Sequence, residues 1–501
     1  MITDRLYEAA CSHPDKVFLV YEEREIGYRQ MANMVSALAV SLHDQGVRPG
    51  QRVALLCGNR PAFLIAWFAI NELGAISVPL NTGLVGDGLR YTLTQSQANV
   101  LLIEPELLEA RSADIQALGG QLAIAPVTAG MEEAPPRGVE RWKLDARPSV
   151  DAPNSILYTS GTTGLPKGVV LPHAAYIAAG KDMAHSLGLA PHDRIMVFLP
   201  LFHANPQMYA VASALEAHAA LVLLPKFSAS SFFDQARRYA ATGFTYVGTV
   251  LSILEKQNPG VRRDHRLAWC VGGGAPERVW REVEERYGVT VRELYGMTET
   301  GGWATMNRTG SARLGSVGQA RESVEVSIRD ERGGPLAGNQ KGEVALRSMP
   351  ANKFFSGYWN NPEASASTLR NGWLYTGDRG WLDHDGYLYF DGRIKELIRR
   401  GGEMIAPAEI EQQLLKHPLV RDCVVVGVAD EIMGEEIQAL VVASAGVEPA
   451  ELRGFLSTRL PAYMLPRYIG FVQAIPKTET QKVKRHELSG IETRITDLAA
   501  R

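Results

Sequence analysis

The sequence predicts an α/β fold with a large N-terminal domain of mostly parallel sheets flanked by helices, a β-rich subdomain, and a small C-terminal α+β domain. Three observations lead to this prediction. Short apolar runs alternate with amphipathic segments before residue 310, extended runs with turn signals fill residues 310–391, and a second mixed pattern follows residue 392. Strands that alternate with helices are typical of a parallel sheet covered by helices, and 501 residues suffice for two or three domains.

The elements of the N-terminal domain are predicted from the spacing of its apolar residues. Helices are expected at 28–43 and 61–73, and strands at 52–57, 75–79 and 100–104. Residues 105–150 are rich in Ala, Gly and Pro with weak periodicity, and predict a surface excursion. The alternation then resumes, with strands predicted at 195–199, 220–224, 245–248 and 267–271 and a helix at 230–241.

The predicted domain boundary follows Asp391, which gives an N-terminal domain of residues 1–391 and a C-terminal domain of residues 392–501 with a hinge near 391–396. The β-rich subdomain before it carries extended runs at 324–328 and 342–347 and a hairpin signal at Asp385-Gly386. The C-terminal domain predicts a helix at 407–415, strands at 423–428 and 438–443, a helix at 449–460 and a strand at 468–472.

Composition excludes several classes of protein. With 46 % hydrophobic and 21 % charged residues and a net charge of -3, the chain has no general attraction to nucleic acid or to acidic membranes. The N-terminus lacks the features of a signal peptide, and the apolar stretch 62–70 is too short to span a bilayer. Four cysteines lie far apart without a C-x-x-C pair, which fits reduced thiols: Cys11, Cys57, Cys270 and Cys423. We therefore expect a cytoplasmic protein with neither a membrane span nor a nucleic-acid partner.

The string Y-T-S-G-T-T-G-L-P-K-G at 158–168 joins two apolar runs that read as strands. Its glycines free backbone N–H groups to face an anion, its hydroxyls add donors, and Lys167 adds a positive charge, so it predicts a phosphate-binding loop. It is not a Walker A loop, because Pro166 precedes the lysine and β-branched residues follow. A flexible Ser/Thr/Gly turn is the alternative for so short a string.

Two further motifs follow in the same domain. The run Gly272-Gly273-Gly274-Ala275-Pro276 comes after a predicted strand, and backbone without side chains can lie flat against a planar ligand. The run 293–300, E-L-Y-G-M-T-E-T, offers an aromatic ring at Tyr295, a hydroxyl at Thr298 and a hard oxygen ligand for Mg²⁺ at Glu299. Taken alone, a helix-entry turn and an ordinary loop remain alternatives for these two motifs.

Three positions in the last quarter of the chain carry candidate chemistry. Asp378, in the run Y-T-G-D, could accept both hydroxyl protons of a ribose, although an Asp that caps a turn is the commoner case. The run 392–411, G-R-I-K-E-L-I-R-R-G-G-E-M-I-A-P-A-E-I-E, begins at the expected boundary. Lys482 lies among other lysines, and such a residue is usually only a solvated charge.

Taken together, the motifs resemble those of the adenylate-forming (ANL) superfamily. They are Y-T-S-G-T-T-G-x-P-K-G-V at the phosphate loop, the later Y-G-M-T-E and Y-T-G-D, and the run at 392–411. That superfamily comprises acyl-CoA synthetases, carrier-protein adenylation domains and luciferases. The resemblance covers nearly the full chain, with the motifs in the same order. One position departs from the pattern, since the family usually has glycine where Gln481 precedes the late lysine.

The resemblance implies a role for each matching position. The ATP or AMP site would comprise Thr159, Ser160, Gly161, Thr162, Thr163, Gly164, Lys167, Gly273, Gly274, Ala275, Pro276, Tyr295, Gly296, Met297, Thr298, Asp378 and Arg393. Of these, Tyr295 would stack on adenine, Thr298 would touch the α-phosphate and Asp378 would bind the ribose. Glu299 would hold Mg²⁺, and Lys482 would bridge the substrate carboxylate and the α-phosphate.

The same resemblance implies a mobile C-terminal domain that rotates at the hinge residue Lys395 between two half-reactions. Candidate contacts to coenzyme A are Arg399, Arg400, Gly401 and Gly402. Candidates for the acyl pocket are His203, Tyr246, Val247, Gly248 and Trp303. His203 would close this pocket in the thioester step, and a hydrogen-bonded core histidine is the alternative.

These expectations describe an AMP-forming carboxylate–CoA ligase similar to the crotonobetaine/carnitine-CoA or aromatic-acid-CoA ligases. Its substrates would be a small carboxylic acid, ATP and coenzyme A, with Mg²⁺ as cofactor. We also expect a homodimer. Alternatives are an enzyme that loads a separate carrier protein, luciferase-like oxidation and a catalytically inactive nucleotide-binding regulator. The sequence contains no Gly-Gly-x-Ser phosphopantetheine site, so a carrier would be a different chain.

Overall fold

The computed structural model describes residues 1–120, 122–127, 129–133, 140–144, 147–159, 166–351, 353–400, 403–430, 433–444, 446–460, 464–478, 483–490 and 493–498. Its contacts divide the chain into two compact units. The first unit comprises Met1–Val326 and Leu346–Leu374, and the second comprises Ser327–Ala345 and Tyr375–Arg501.

The helices and strands follow in chain order. The α-helices are α1 (Ile2–Ser12), α2 (Tyr28–Asp44), α3 (Pro61–Glu72), α4 (Gly86–Ser96), α5 (Pro105–Ala110), α6 (Ser112–Gln116), α7 (His173–Leu187), α8 (Ala212–Ala217), α9 (Phe232–Arg238), α10 (Gly248–Gln257), α11 (Glu277–Tyr287), α12 (Pro362–Thr368), α13 (Pro407–Leu414) and α14 (Pro449–Ser457). The strands are β1 (Val17–Tyr21), β2 (Arg24–Gly27), β3 (Arg52–Leu56), β4 (Ile76–Pro79), β5 (Val100–Ile103), β6 (Ala123–Pro126), β7 (Pro153–Thr159), β8 (Lys167–Pro172), β9 (Arg194–Val197), β10 (Ala220–Leu223), β11 (Gly243–Val247), β12 (Trp269–Gly273), β13 (Thr290–Tyr295), β14 (Thr305–Met306), β15 (Gln319–Ala320), β16 (Val324–Arg329), β17 (Gly342–Ser348), β18 (Gly357–Tyr358), β19 (Leu369–Arg370), β20 (Trp373–Leu382), β21 (Leu388–Arg393), β22 (Ile398–Arg400), β23 (Glu403–Ile405), β24 (Val420–Asp430), β25 (Gly434–Ala443), β26 (Tyr468–Phe471) and β27 (Ile495–Asp497).

The first unit contains two large sheets among its described residues. One has nine strands in the order β15-β14-β13-β12-β11-β9-β10-β1-β2. Its neighbours from β13 through β12, β11, β9 and β10 to β1 are parallel, as the alternation of strands and helices predicts. The other has seven strands in the order β18-β8-β7-β4-β3-β5-β6. Helix α3 is buried at every position and packs on α2, β3 and β4, so a layer of helices covers this sheet.

Strands β16, β17, β20 and β19 form a further sheet in that order, with β21 paired to β20. The sheet β23-β22-β25-β26-β27, with β24 on β25, lies wholly within the second unit. Its apolar core includes Ile410, Leu414, Val425, Ala439 and Leu452. One division between the units falls between Leu374 and Tyr375, within β20, so most of β20 and all of β21 belong to the second unit. The boundary after Asp391 therefore stays a prediction.

The prediction for residues 105–150 needs correction. The segment contains α5 and α6, and β6 pairs in parallel with β5 at one edge of the seven-stranded sheet. Because an edge strand of four residues carries only a short apolar pattern, its weak periodicity concealed it in the sequence.

In the described part of the chain, no helix combines the length and apolarity needed to cross a membrane. The four cysteines are free, and Cys57, Cys270 and Cys423 are buried.

Candidate active site

The two strands that flank the predicted phosphate-binding loop pair with each other in the first unit. Strands β7 and β8 are antiparallel, and Thr159 opposite Lys167 is their last pair before the loop. The predicted residues Ser160, Gly161, Thr162, Thr163 and Gly164 lie outside the described residues. The Nζ atom of Lys167 lies 5.1 Å from the centroid of the Tyr358 ring. The ammonium group of Lys167 therefore lies beside an aromatic ring.

Glu299, the expected metal ligand, is close to the same tyrosine. Its side chain is buried, with 5 % of the residue exposed. The hydroxyl of Tyr358 donates a hydrogen bond of 2.8 Å to Glu299 Oε1, and the backbone N–H of Phe355 donates to the Glu299 carbonyl at 2.9 Å. Sequence reasoning missed Tyr358, because nothing in the local pattern indicates a partner 59 residues away.

The short 3-10 helix Thr298–Thr300, which carries Glu299, rests on a buried arginine. The Nη2 atom of Arg321 donates to the Thr300 carbonyl at 3.2 Å, and its guanidinium lies 5.3 Å from the Trp303 ring centroid. Burial lowers the pKa of Arg321 to about 10, while the nearby Asp182 carboxylate opposes this shift. Arg321, absent from the predicted site, thus supports the turn that carries Glu299.

A buried glutamate holds the glycine turn after β12. The Glu293 carboxylate accepts hydrogen bonds from the backbone N–H of Gly274 at 2.5 Å and of Ala275 at 3.2 Å, and from the Tyr246 hydroxyl at 2.6 Å. Burial raises the pKa of Glu293 to about 7, although these three donors act in the opposite direction. The sequence motif at 293–300 begins with Glu293, but no role was predicted for this residue. It ties the turn at Gly273, Gly274, Ala275 and Pro276 to strands β11 and β13.

The backbone around this turn is too close for side chains. A Cβ atom on Gly248 would lie 1.7 Å from the carbonyl oxygen of Gly274, and one on Gly272 would lie 2.1 Å from that of Tyr246. Gly274 itself has a φ of 89°, in the left-handed region that favours glycine. The predicted acyl-pocket residues Tyr246, Val247 and Gly248 therefore adjoin the predicted adenine turn.

The predicted adenine-stacking residue follows on β13. Tyr295 is largely buried and pairs with Thr305 on β14. A Cβ atom on Gly296 would lie 2.4 Å from the Gly302 carbonyl oxygen, so this segment approaches the chain at Gly302 and Trp303 closely. Trp303 is buried and donates its Nε1–H to the Ala179 carbonyl at 3.4 Å. The structure thus brings Tyr295, Gly296 and Trp303 together.

His203 lies in the turn between β9 and a π-helical segment, Pro206–Val211. Its ring centroid lies 4.4 Å from that of Phe202. Two residues further on, Asn205 donates to the Tyr246 carbonyl at 3.1 Å, and Tyr209 in the π-helix donates to the Gly302 carbonyl at 2.6 Å. π-Helical turns occur frequently at functional sites. Residues 205–209 therefore contact β11 just before Gly248, and the chain just before Trp303.

The second unit contains Asp378, the predicted ribose ligand, and Arg393, which is predicted to reach the ribose or a phosphate. Asp378 and Arg393 are paired across β20 and β21, and Arg393 Nε lies 2.9 Å from Asp378 Oδ1. The Asp378 backbone N–H donates to Thr376 Oγ1 at 3.1 Å, which fixes the turn. Gly377 has a φ of 70°, so glycine suits this position.

The other predicted residues of the second unit are described only in part. Lys395 lies in a 3-10 turn, Ile394–Glu396, and Arg399 lies on β22, while their side chains are outside the described residues. Arg400 forms a two-point ion pair with buried Glu436, with hydrogen bonds of 2.8 and 2.9 Å. Gly401, Gly402 and Lys482 lie outside the described residues.

The residues present fit Mg²⁺. Among the described residues, no three or more His, Cys, Asp or Glu side chains form a metal-binding group. Mg²⁺ is usually bound through one or two carboxylates together with substrate phosphates, and seldom by an all-protein cage. A single buried carboxylate, Glu299, in the same part of the first unit as the phosphate-loop lysine meets that requirement.

Two family models match the chain. The "AMP-binding enzyme" model matches residues 6–359, and the "AMP-binding enzyme C-terminal domain" model matches residues 409–482. A crotonobetaine/carnitine–CoA ligase of Salmonella enteritidis PT4 is 32 % identical over 495 residues, covering 95 % of this chain and 96 % of that protein.

Solved structures agree with these matches. The o-succinylbenzoate CoA synthetase of Bacillus subtilis, in complex with its acyl-adenylate intermediate, is 29 % identical with a TM-score of 0.88 and 98 % of each chain covered. The same enzyme in complex with ATP and a magnesium ion has 29 % identity and a TM-score of 0.85, with 97 % of this chain and 99 % of that chain covered.

The chain therefore belongs to the AMP-binding enzyme family, whose two domains account for the N-terminal and C-terminal parts of its sequence. Within that family it is an acid–thiol ligase, an ATP-dependent, AMP-forming carboxylate–CoA ligase. ATP, Mg²⁺ and coenzyme A are accordingly its co-substrates and cofactor. The predicted family, fold class and reaction type are confirmed.

Proposed function

We propose that the residues identified above divide the ligase reaction into two half-reactions. A carboxylate does not react with a thiol near neutral pH, because hydroxide is a poor leaving group. Condensation of the acid with ATP gives an acyl adenylate and pyrophosphate, and the thiol of coenzyme A then attacks the carbonyl and releases AMP. The protein mainly has to position anions and stabilise the charge that develops on the α-phosphate.

The observation that carries this proposal is the proximity of Lys167, Tyr358 and Glu299 in the first unit. Lys167 would bind the β- and γ-phosphates together with the hydroxyls of Thr159, Ser160, Thr162 and Thr163. Glu299 would hold Mg²⁺, which neutralises phosphate oxygens when bound. Thr298 would donate to the α-phosphate. A cation beside the ring of one tyrosine and a buried carboxylate at its hydroxyl suit a nucleotide–metal complex.

The glycine turn supports the adenine assignment. Its backbone is held by Glu293, and its glycines carry no side chains that would keep a planar ligand away from the backbone. Tyr295 would stack on adenine from β13, and Asp378 and Arg393 of the second unit would bind the ribose. The neighbouring His203, Val247, Gly248 and Trp303 would shape the acyl pocket. The Tyr246 hydroxyl is already bound to Glu293, so this tyrosine would contribute its ring alone.

Lys482 would bridge the substrate carboxylate and the α-phosphate in the first half-reaction. Rotation at Lys395 would then remove it and present Arg399, Gly401 and Gly402 to coenzyme A. Arg400 would support the contacts to coenzyme A indirectly, because its guanidinium is bound to Glu436.

We also propose a cytoplasmic location, which the free and mostly buried cysteines support. We further propose a homodimer, which light scattering after size-exclusion chromatography tests.

The experiment that tests the proposal is pyrophosphate release over a panel of short, medium, branched, alicyclic and aromatic carboxylates. Crotonobetaine, carnitine and o-succinylbenzoate belong in the panel, because similar proteins act on them. Mass spectrometry of the product, with coenzyme A or a phosphopantetheinylated carrier as acceptor, identifies the thiol. Acyl-CoA with AMP is the expected result. The proposal fails if no acid yields AMP, or if only the carrier is acylated.

A further inference from the structure

Tyr358 of the first unit has no part in the proposed reaction, although it touches two groups that do. Its hydroxyl donates to Glu299 Oε1 at 2.8 Å, and its ring centroid lies 5.1 Å from Lys167 Nζ. A phenylalanine would fill the same space against the lysine, so the hydroxyl is the feature that needs an explanation.

We propose that Tyr358 is a positioning residue that orients the carboxylate of Glu299 for Mg²⁺. This inference rests on the proposed function, in which Glu299 is the metal ligand. Groups that hydrogen-bond to a metal ligand fix its orientation, and their loss typically weakens metal binding by about 10- to 100-fold. A hydrogen bond to an ionised carboxylate is also among the stronger ones in proteins.

The carboxylate needs such a support because of its surroundings. Glu299 is 5 % exposed, so water cannot readily satisfy its oxygens. The N–H of Phe355 fixes the glutamate's backbone through its carbonyl, at 2.9 Å, but leaves the side-chain torsions free. The Tyr358 hydroxyl acts on Oε1 itself and limits rotation of the carboxylate before the nucleotide arrives.

Tyr358 is itself held firmly, as an orienting residue must be. It lies on β18, which pairs with β8 so that Tyr358 faces Val169. Its N–H donates to Ser365 Oγ at 2.8 Å, and the N–H of Trp359 donates to the Gly168 carbonyl at 2.7 Å. Strand β8 begins at Lys167, directly after the phosphate loop. The hydroxyl is therefore fixed relative to the strand that leaves the loop.

The test is metal affinity measured without turnover. ATP binding to the full-length protein is followed by calorimetry, first in excess chelator and then over a series of Mg²⁺ concentrations. Tyr358→Phe should weaken the apparent Mg²⁺ affinity of the ATP complex about tenfold and leave ATP binding in chelator unchanged. The matched control is Tyr287→Phe, which removes a hydroxyl that donates to the Leu254 and Asn258 carbonyls at 3.1 and 2.7 Å. This control should change neither quantity.

A cycle with Glu299→Gln separates this inference from the proposed function. If Tyr358 acts through Glu299, Tyr358→Phe should have no further effect on Mg²⁺ affinity in the Glu299→Gln background. Equal Mg²⁺ affinity of wild type and Tyr358→Phe overturns the inference, and so does full additivity of the two substitutions. An unchanged Mg²⁺ affinity in Glu299→Gln alone instead overturns the metal assignment of the proposed function. Thermal unfolding of each variant verifies that it is folded.

Discussion

Arg393 lies beside Asp378, with Nε 2.9 Å from Oδ1, and the two residues are directly paired across neighbouring strands of the second unit. The carboxylate is buried, with 2 % of Asp378 exposed, while the arginine is partly accessible. An arginine at this distance orients the aspartate carboxylate. An oriented carboxylate can accept a hydrogen bond from each hydroxyl of a ribose, which is the role proposed for Asp378.

We expect Asp378→Asn to raise the KM for ATP by roughly 10- to 100-fold, because hydrogen bonds to a charged group contribute about 1.5–3 kcal/mol. The substituted amide keeps the shape of the side chain but loses its charge and one acceptor. ATP–pyrophosphate exchange measures the effect. Arg393→Lys, which keeps the charge and loses the planar fork, should have a smaller effect. An unchanged KM for ATP in Asp378→Asn would contradict the ribose assignment.

Glu293 predicts a specific pH dependence of stability. Burial raises its pKa to about 7 in the folded protein, from an unfolded value of 4.5. A raised carboxyl pKa favours the protonated form, so the stability it contributes is complete below pH 4.5 and is lost as the pH rises towards 7. The loss amounts to at most about 3 kcal/mol in the free energy of unfolding. Urea unfolding of wild type and Glu293→Gln across this range measures the difference.

The control for Glu293 is a carboxylate with the opposite shift. Hydrogen bonds from Arg278, with further contributions from Arg286, lower the pKa of Glu255, so its stabilising contribution is lost as the pH falls. The stability difference between wild type and Glu255→Gln should therefore shrink towards acid. For Glu293, the free energy of unfolding of wild type relative to Glu293→Gln should instead fall as the pH rises. Parallel profiles for the two variants would show that Glu293 does not titrate as described.

The sequence predicted the parts of the site that are encoded locally. The two strands that flank the phosphate loop and the strand before Gly272 were expected from apolar runs and glycines, and β7, β8 and β12 confirm them. Their pairing as a hairpin was not predicted. Tyr358 and Arg321 escaped prediction, because their partners Glu299 and Thr300 are brought to them only by the folded chain. Long-range side-chain contacts leave no periodic signal.

Gly248 offers a test of how tightly the acyl and adenine regions are joined. A Cβ atom there would lie 1.7 Å from the Gly274 carbonyl oxygen, so Gly248→Ala must displace the glycine turn. We expect a loss of about 1–3 kcal/mol in the free energy of unfolding and weaker ATP binding. The matched control is Gly454→Ala in α14, where a Cβ atom meets nothing within 4 Å and alanine should stabilise the helix. Wild-type ATP affinity in Gly248→Ala would contradict this coupling.

Lys395 tests the proposed hinge. Proline at 395 fixes its own φ and disfavours a helical conformation at Ile394, so the short turn Ile394–Glu396 could no longer change freely. Lys395→Pro should spare adenylate formation and impair thioester formation. Pyrophosphate release in a single turnover and acyl-CoA yield separate the two steps, and Lys395→Ala controls for loss of the side chain. Unchanged overall turnover in Lys395→Pro would remove the hinge assignment.

Lys482 tests the division of the reaction itself. It immediately precedes Val483, which forms a β-bridge with Lys477. Because its charge would be needed only while the carboxylate attacks the α-phosphate, Lys482→Ala should lower adenylate formation by orders of magnitude and leave thioester formation from a supplied acyl adenylate largely intact. Lys484→Ala, which removes a lysine bound to Glu487 at 2.8 Å, is the matched control and should affect neither step. Equal loss of both steps in Lys482→Ala would mean that this lysine serves the whole cycle rather than its first half.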